Sequence, residues 1–79
     1  LLITLSGSGN SENVVKATNV AKSMAIQTLT ICGYDGGKLK QMSDNFVWIR
    51  SNDMQLCEDA QTVFGHLVMK SLCEENLYI

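Results

Sequence analysis

The sequence predicts an α/β fold with a three-layer arrangement around a parallel sheet. Short β-rich apolar runs alternate with segments whose apolar residues recur at helical spacing, in the order strand, helix, strand, helix, strand, helix. The first apolar run, LLITL, also leads directly into a turn of serines and glycines and then into a helix. Strands and helices in alternation are joined by right-handed crossovers, which place the helices on the faces of a parallel sheet.

The first third of the chain supplies a strand, a loop and a helix. Residues 1–5 are apolar and partly β-branched, so we predict an interior strand that is covered on both faces. Residues 6–11 form a loop, and a helix begins at Glu12, where apolar residues start to recur at three- and four-residue steps. The predicted buried face of this helix consists of Val14, Ala17, Ala21 and Met24.

The rest of the chain repeats the alternation. Residues 27–32 form a β-rich run that ends in the turn sequence GYDGG, and residues 37–43 can hold a short helix. Residues 45–50, NFVWIR, have the aromatic and β-branched bulk of a strand, and SND offers an N-cap for a long helix from Met54 to about residue 75. The predicted apolar stripe of this helix consists of Cys57, Ala60, Phe64, Leu67 and Ser71.

Length, charge and hydropathy restrict what the chain can be. Its 79 residues make at most one small domain, and its net charge of −2 argues against nucleic acid as a direct ligand. It has no apolar run of the ~18 residues that suggest a membrane span and no signal peptide at its start, so we expect a soluble cytoplasmic protein without a membrane partner. Because the sequence opens inside an apolar strand without an initiating Met, we expect it to be the C-terminal part of a longer polypeptide.

The cysteines are odd in number, widely spaced and set among apolar neighbours. This pattern fits inert thiols in a reducing compartment better than a disulfide or zinc framework. We therefore predict that Cys32, Cys57 and Cys73 are buried.

The turn at residues 6–11, SGSGNS, stands where ligands bind in parallel α/β sheets, beyond the carboxyl end of a strand and at the start of a helix. The free N–H groups of a first helical turn attract anions, and serine hydroxyls can donate to phosphate oxygens. The turn lacks the Gly-Lys-Ser/Thr ending of nucleotide-hydrolase phosphate loops and the spaced glycines of dinucleotide folds. From the residues alone two interpretations stay open: a phosphate site, or a simple turn in which Ser11 caps the helix.

Three segments together resemble the sugar isomerase (SIS) domain and, within that superfamily, the phosphoheptose isomerases. The segments are LLITLSGSGNSENVVKATNVAK, TLTICGYDGGKLKQMSD and RSNDMQLCEDAQTVFGH, in the family's order and spacing over essentially all 79 residues. The resemblance implies a flavodoxin-like fold, of which residues 1–79 would be the C-terminal β-α-β-α-β-α portion of a single SIS domain. It also implies interconversion of sedoheptulose 7-phosphate and an aldoheptose phosphate by a homotetramer.

The resemblance places the serine turn on the family's phosphate site. Ser6, Ser8 and Ser11 fall on the family's phosphate-contacting serines, and Gly7 lies within the same substrate loop. Binding of the phosphorylated sugar would require no cofactor. The resemblance thus favours a phosphate site over a simple helix cap.

Two residues of the last predicted helix match the family's catalytic centre. His66 falls on the family's site histidine, which takes part in proton transfer and, where zinc is present, in zinc binding. Glu58 falls where the isomerases usually carry a glutamine that touches substrate or metal. The resemblance therefore implies that Glu58 and His66 are catalytic, that Glu58 also contacts the substrate, and that both are candidate ligands of an optional zinc ion. A histidine, a carboxylate and a metal suit proton transfer through an enediolate.

The spacing of these residues restricts that assignment. At ~100° per residue, His66 lies away from the apolar stripe and joins Gln55, Asp59 and Thr62 on a polar face. This face is either plain solvated surface or a site that faces another subunit of a homo-oligomer. Eight residues separate Glu58 from His66, a helical rise of ~12 Å, so one ion could bind both only if the side chains stretched toward each other or the helix were distorted.

The chain also departs from the family's pattern. SNDMQLCEDAQ stands where the family typically shows Ser-Asn-Asp-Thr-x-Arg-Ile-Gln-Glu-x-His. The departures weaken the prediction of a particular reaction and leave open a non-catalytic phosphosugar-binding regulator or protein-interaction module. The positions that differ are Met54, Leu56, Glu58, Asp59 and Gln61.

Three further positions have structural interpretations. Ala25 stands where the family often ends its first helix with glycine, and a left-handed alanine there would carry roughly 1 kcal/mol of strain. Asp35 and Lys38 lie at the carboxyl end of a predicted strand, where a turn and helix-start role explains them most simply.

Overall fold

The structure, a computed structural model, describes residues 1–75. It confirms the predicted α/β fold class, and each element boundary lies within two residues of its prediction. Strands β1 (Leu2–Ser6), β2 (Thr28–Cys32) and β3 (Asn45–Trp48) alternate with helices α1 (Glu12–Ser23), α2 (Gly37–Met42) and α3 (Met54–Glu74). One boundary differs at the serine turn: Ser6, which was predicted to begin the loop, is the last residue of β1.

The strands form one parallel sheet in the order β1, β2, β3. The register pairs Leu2 with Thr28 and Ser6 with Cys32, and it pairs Cys32 with Trp48 of β3. All the strands therefore end at the same edge of the sheet. The turns into α1, α2 and α3 leave from this carboxyl edge, which brings them close together.

Helices α1 and α2 cover one face of the sheet. Between them and the strands lie small or polar side chains, among which Thr18 and Thr30 are completely buried together with Leu39. Lys40 of α2 lies over the Trp48 ring, with its Nζ 4.1 Å from the ring centroid, and so ties α2 to β3. This part of the core is thus built more from threonine than from large aliphatic residues.

Helix α3 lies on the opposite face, which completes the three layers. The Gln61 amide donates to the carbonyl oxygen of Ile31 at 3.0 Å, and Ile31 is only 3% exposed. In contrast, Ile3 and Leu5 on the same face of β1 are 52% and 56% exposed. Within residues 1–75 the prediction that this strand is covered on both faces is therefore wrong, because β1 lies at the edge of the described sheet and α3 lies over β2. A groove of about 390 Å³ separates α3 from the open side of β1.

The apolar stripe of α3 is buried only near its start. Cys57 is completely buried and Phe64 is half-buried, but Leu67, Ser71 and Cys73 are exposed. The prediction of a buried Cys73 is wrong because α3, with 21 residues, is about 32 Å long and extends beyond strands of about 17 Å. Despite this length, no helix within residues 1–75 is apolar enough to cross a membrane.

The buried face of α1 also differs from its prediction. Ala21 is buried and Val14 half-buried, as expected, but Ala17 and Met24 are exposed. Thr18 takes the central buried position. Its hydroxyl donates to the Val14 carbonyl oxygen at 2.9 Å, so the polar group is satisfied within the helix while the methyl group packs in the core.

At the amino edge of the sheet, Asp44 holds the start of β2. Its carboxylate accepts hydrogen bonds from the Thr28 N–H at 2.8 Å and the Thr28 hydroxyl at 3.0 Å, and Lys22 Nζ lies 3.9 Å away. These hydrogen bonds, the backbone one foremost, hold the pKa of the Asp44 carboxyl below its usual value. Nearby, Ala25 has a φ of +57°, so the condition under which this alanine carries left-handed strain is met.

Candidate functional site

The turn between β1 and α1 is organised by its own serine hydroxyls. Ser6 Oγ accepts a hydrogen bond from the Gly9 N–H at 3.0 Å and lies 3.3 Å from Ser11 Oγ. Ser8 Oγ accepts from the Asn10 N–H at 3.1 Å. Because Ser6 is buried, Ser8 half-buried and Ser11 exposed, the hydroxyls lead from the core to the surface. The structure thus brings the predicted serines together in one turn.

Backbone contacts with the GYDGG turn fix the shape of the serine turn. The Gly33 N–H donates to Gly7 O at 2.8 Å, and the Leu39 N–H donates to Gly9 O at 2.9 Å. Gly9 has a φ of +75°, and a Cβ at this position would collide with the carbonyl oxygen of Gly36. Both the backbone conformation and the close approach therefore require glycine at position 9.

Side chains of both turns add further links. Asp35 Oδ1 accepts from the Gly37 N–H at 2.9 Å, which fits the predicted turn role of Asp35. Asn10, which the sequence analysis did not single out, accepts at Oδ1 from the Lys38 N–H at 2.9 Å and so ties the serine turn to the start of α2. The sequence signal for Asn10 is its place between two turn residues, but its partner lies 28 residues away and only the fold identifies it.

The first turn of α1 has no side-chain cap. Ser11 occupies the N-cap position, but its side chain accepts no hydrogen bond from the helix and instead approaches Ser6. The interpretation of Ser11 as a simple cap is therefore wrong. Glu12 in this turn is paired with Lys16 at 3.1 Å. The backbone N–H groups at the start of this 12-residue helix, together with its dipole, can receive an anion beside the serine hydroxyls.

The start of α3 lies against the same turn but is capped. Asp53 Oδ1 accepts from the Gln55 N–H at 3.0 Å and from the Leu56 N–H at 3.3 Å. A Cβ on Gly7 would collide with the side chain of Met54. Since the Asp53 carboxylate already occupies the N-terminus of α3, α1 is the better helix to receive a ligand at this edge.

Two buried thiols lie beneath the turns, as predicted. Cys32 and Cys57 are completely buried, and Cys57 Sγ lies 3.5 Å from the Ser51 carbonyl oxygen. Burial raises the pKa of the Cys32 thiol, although the Lys40 ammonium acts in the opposite direction. A neutral, buried thiol is a packing residue rather than a nucleophile.

Glu58 and His66 are exposed on α3. Gln55, Asp59 and Thr62 are exposed as well, which confirms that His66 is not a core histidine. Within residues 1–75 no group of three or more His, Cys, Asp or Glu side chains could hold a metal ion. A zinc ion typically takes at least three protein ligands, so Glu58 and His66 alone do not make a zinc site. Their catalytic roles stay predictions.

The fold and the turn define a class of protein: an α/β protein with a parallel sheet, in which hydroxyls and an uncapped helix meet at the edge where such sheets bind ligands. Curated proteins with similar sequences narrow this class further. A phosphoheptose isomerase of Helicobacter pylori (strain Shi470) is 38% identical over 68 residues, which cover 86% of this chain and 35% of the relative. No family model matches the chain.

Two further relatives extend the match over nearly the whole chain. The phosphoheptose isomerase of Aliarcobacter butzleri (strain RM4018) is 35% identical over 75 residues, which cover 95% of this chain and 40% of the relative. That of Akkermansia muciniphila is 33% identical over 78 residues, which cover 99% and 41%. The chain thus spans 35–41% of the length of these relatives and is similar to part of a phosphoheptose isomerase.

Proposed function

We propose that the protein is an aldose-ketose isomerase of a phosphorylated sugar, with sedoheptulose 7-phosphate as its substrate. One observation carries the proposal. The serine turn and the uncapped start of α1 meet at the carboxyl edge, in a chain that is 33–38% identical to relatives named phosphoheptose isomerase. The proposal includes a cytoplasmic location, as expected for a biosynthetic isomerase.

In this proposal the serine turn holds the phosphate with neutral donors. Residues 6–11 contain no lysine or arginine, so the hydroxyls of Ser6, Ser8 and Ser11 and the first-turn N–H groups of α1 supply the hydrogen bonds. Gly7 and Gly9 let the turn pack closely against Met54 and Gly36, which fixes the position of these donors. A hydrogen bond to a charged group contributes ~1.5–3 kcal/mol, so a few such bonds suffice for specific binding.

The chemistry needs a group that removes a proton from the carbon beside the carbonyl and returns it to the neighbouring carbon. We assign this proton transfer to His66, and we assign to Glu58 a contact with the substrate. The described residues provide at most two zinc ligands, so no step is assigned to zinc.

The length of α3 supports a role for a second copy of the chain in this chemistry. Met54 lies against Gly7 of the serine turn. Along the helix axis Glu58 is ~6 Å beyond Met54, whereas His66 is ~18 Å beyond it. Glu58 can therefore approach a sugar held by its own serine turn, while His66 extends away from it. We infer that His66 serves the site of another subunit in a homo-oligomer, for which we expect a tetramer.

A second candidate function is a phosphosugar-binding module without catalysis. The observation that favours it is the contrast between the two halves of the proposed site. The serine turn is fixed by hydrogen bonds on several sides, whereas Glu58 and His66 are both exposed and belong to no described metal-binding cluster. A regulator would need the first half only.

The test is conversion of sedoheptulose 7-phosphate by the full-length natural protein, followed by NMR with and without added zinc. We expect turnover. Absence of turnover under both conditions, with retained binding of the sugar phosphate, would replace the isomerase with the second candidate. Failure to bind any sugar phosphate would exclude both.

A matched pair of variants tests the role of His66. His66→Ala should abolish turnover and leave sugar phosphate binding within about twofold, because the phosphate is held elsewhere. Lys70→Ala, which alters an exposed residue one helical turn further along, should keep turnover. Equal activity of the two variants would exclude His66 from the proton transfer.

A further inference from the structure

We propose that Met54 is a specificity-determining residue of the sugar phosphate site, where its thioether forms an apolar wall beside Gly7 for the carbon that carries the phosphate. The proposal rests on the proposed function, since it takes residues 6–11 as the phosphate turn. It adds a substrate contact from α3 that favours a phosphate ester over inorganic phosphate.

The Met54 side chain lies against the serine turn. A Cβ on Gly7 would collide with both Sδ and Cε of Met54, so the end of this side chain lies directly against the backbone of the serine turn. Met54 is nevertheless 41% exposed. The side chain therefore contacts the turn with one part and remains accessible with another.

The backbone of Met54 is held in place by the start of α3. Met54 is the first residue of α3, and the preceding Asp53 caps the helix with hydrogen bonds to the N–H groups of Gln55 and Leu56. The adjacent turn of α3 is also anchored, since Cys57 is completely buried. A flexible side chain on a fixed backbone can adjust to a ligand without losing its place beside the turn.

The polar groups of the serine turn match only part of a sugar phosphate. The turn sequence SGSGNS offers hydroxyl, amide and backbone groups, which suit the phosphate oxygens but not the carbon next to them. A sugar phosphate presents a CH₂–O–P group at this point, and burial of a CH₂ group against an apolar atom is favourable. Inorganic phosphate has no such carbon. A thioether beside the turn therefore favours binding of a sugar phosphate over binding of inorganic phosphate.

The test compares two methionine variants of the full-length protein by calorimetric titration. For Met54→Ala we expect binding of sedoheptulose 7-phosphate to weaken about three- to tenfold, with binding of inorganic phosphate unchanged. The control is Met69→Ala, which alters another exposed methionine, 49% exposed, on the same helix. It should change neither affinity.

Other outcomes overturn the proposal. Unchanged binding of the sugar phosphate by Met54→Ala would mean that Met54 does not contact it. Equal weakening of both ligands would make Met54 a support of the turn and not a specificity residue. If the wild type binds neither ligand, the proposed function itself fails, which is a result distinct from either of these.

Methionine oxidation in the wild-type protein tests the same contact without any substitution near the turn. Hydrogen peroxide oxidises accessible methionines, and mass spectrometry follows each one separately. Saturating sedoheptulose 7-phosphate should slow oxidation of Met54 at least threefold and leave Met24 and Met69, both exposed, at their original rates. An unchanged rate at Met54, or equal slowing of all three, would contradict the proposed contact.

Discussion

Helices α1 and α3 begin at the same edge of the sheet, but their first turns have different partners. At α3 the carboxylate of Asp53 accepts two backbone hydrogen bonds, whereas at α1 the hydroxyl of Ser11 accepts none. A side-chain cap typically contributes ~1 kcal/mol, which α3 gains and α1 does not. The start of α3 is thus stabilised by its own side chain, while the start of α1 leaves its N–H groups without a side-chain partner, beside the hydroxyls that we propose bind phosphate.

The largest effect that sharpens this contrast is expected from a pair of glycine substitutions. Gly9→Ala places a Cβ against the Gly36 carbonyl oxygen at a left-handed position, and we expect a loss of ~2–5 kcal/mol of unfolding free energy. Gly65→Ala lies within α3 with nothing in the way of a Cβ, and it should stabilise the protein by ~0.5–1 kcal/mol. Urea denaturation of both variants measures the difference.

The pair also tests the turn as a binding site. Gly9→Ala should lose sugar phosphate binding even under conditions where the protein remains folded, because the serine turn must move away from α2. Gly65→Ala should bind as the wild type does. A fully stable Gly9→Ala variant would show that the packing between the two turns is loose, which would weaken the idea of a rigid phosphate turn.

The next largest effect is expected from substituting the N-cap residues of α1 and α3, which should change ligand affinity in one helix and stability in the other. Ser11→Ala should leave the unfolding free energy nearly unchanged, because its hydroxyl does not cap α1. It should weaken sugar phosphate binding about tenfold if the hydroxyl donates to the phosphate as we propose. Asp53→Ala should cost ~1 kcal/mol of stability through the lost cap. Thermal unfolding and calorimetric titration of both variants give the two quantities. A loss of stability without a loss of affinity in Ser11→Ala would mean that Ser11 stabilises the helix and does not bind the sugar phosphate.

The sequence predicted the elements well because their signals are local. The helical spacing after Glu12, the GYDGG turn and the aromatic strand before Arg50 each depend on neighbours within a few residues. The serines of the site were predicted for the same reason, since one short turn contains them all. The alternative interpretation of Ser11 as a simple cap failed because its hydroxyl has a competing partner in Ser6, which the strand end brings within 3.3 Å.

What the sequence did not predict depends on distant contacts or on the extent of the sheet. The links from Asn10 to Lys38 and from Gln61 to Ile31 join residues 28 and 30 positions apart, so no local pattern indicates them. The exposure of Leu5 was missed because burial of a strand depends on its place in the sheet, which its own residues do not encode.

A smaller effect is expected at the amino edge, where an acidic side chain caps the start of a strand. Hydrogen bonds from Thr28 lower the pKa of Asp44 in the folded protein, so its ionised form adds stability above the unfolded value of ~3.9, and this stability is lost as the pH falls through the folded pKa. Asp44→Asn should be less stable than the wild type at neutral pH, and the difference should shrink in acid. A difference that stays constant from pH 7 to pH 3 would contradict this cause.

The smallest effect concerns the other end of α1. Ala25 follows the C-cap residue Met24 and has a φ of +57°, whereas Met24 itself has an ordinary φ of −98°. Ala25→Gly removes ~1 kcal/mol of left-handed strain but adds unfolded-state entropy worth ~0.4–1 kcal/mol, so a net gain of at most about 0.5 kcal/mol is expected. Ala17→Gly, an exposed position inside α1, is the control and should lose ~1 kcal/mol. Equal losses in the two variants, measured by urea denaturation, would mean that Ala25 is not held in the left-handed conformation.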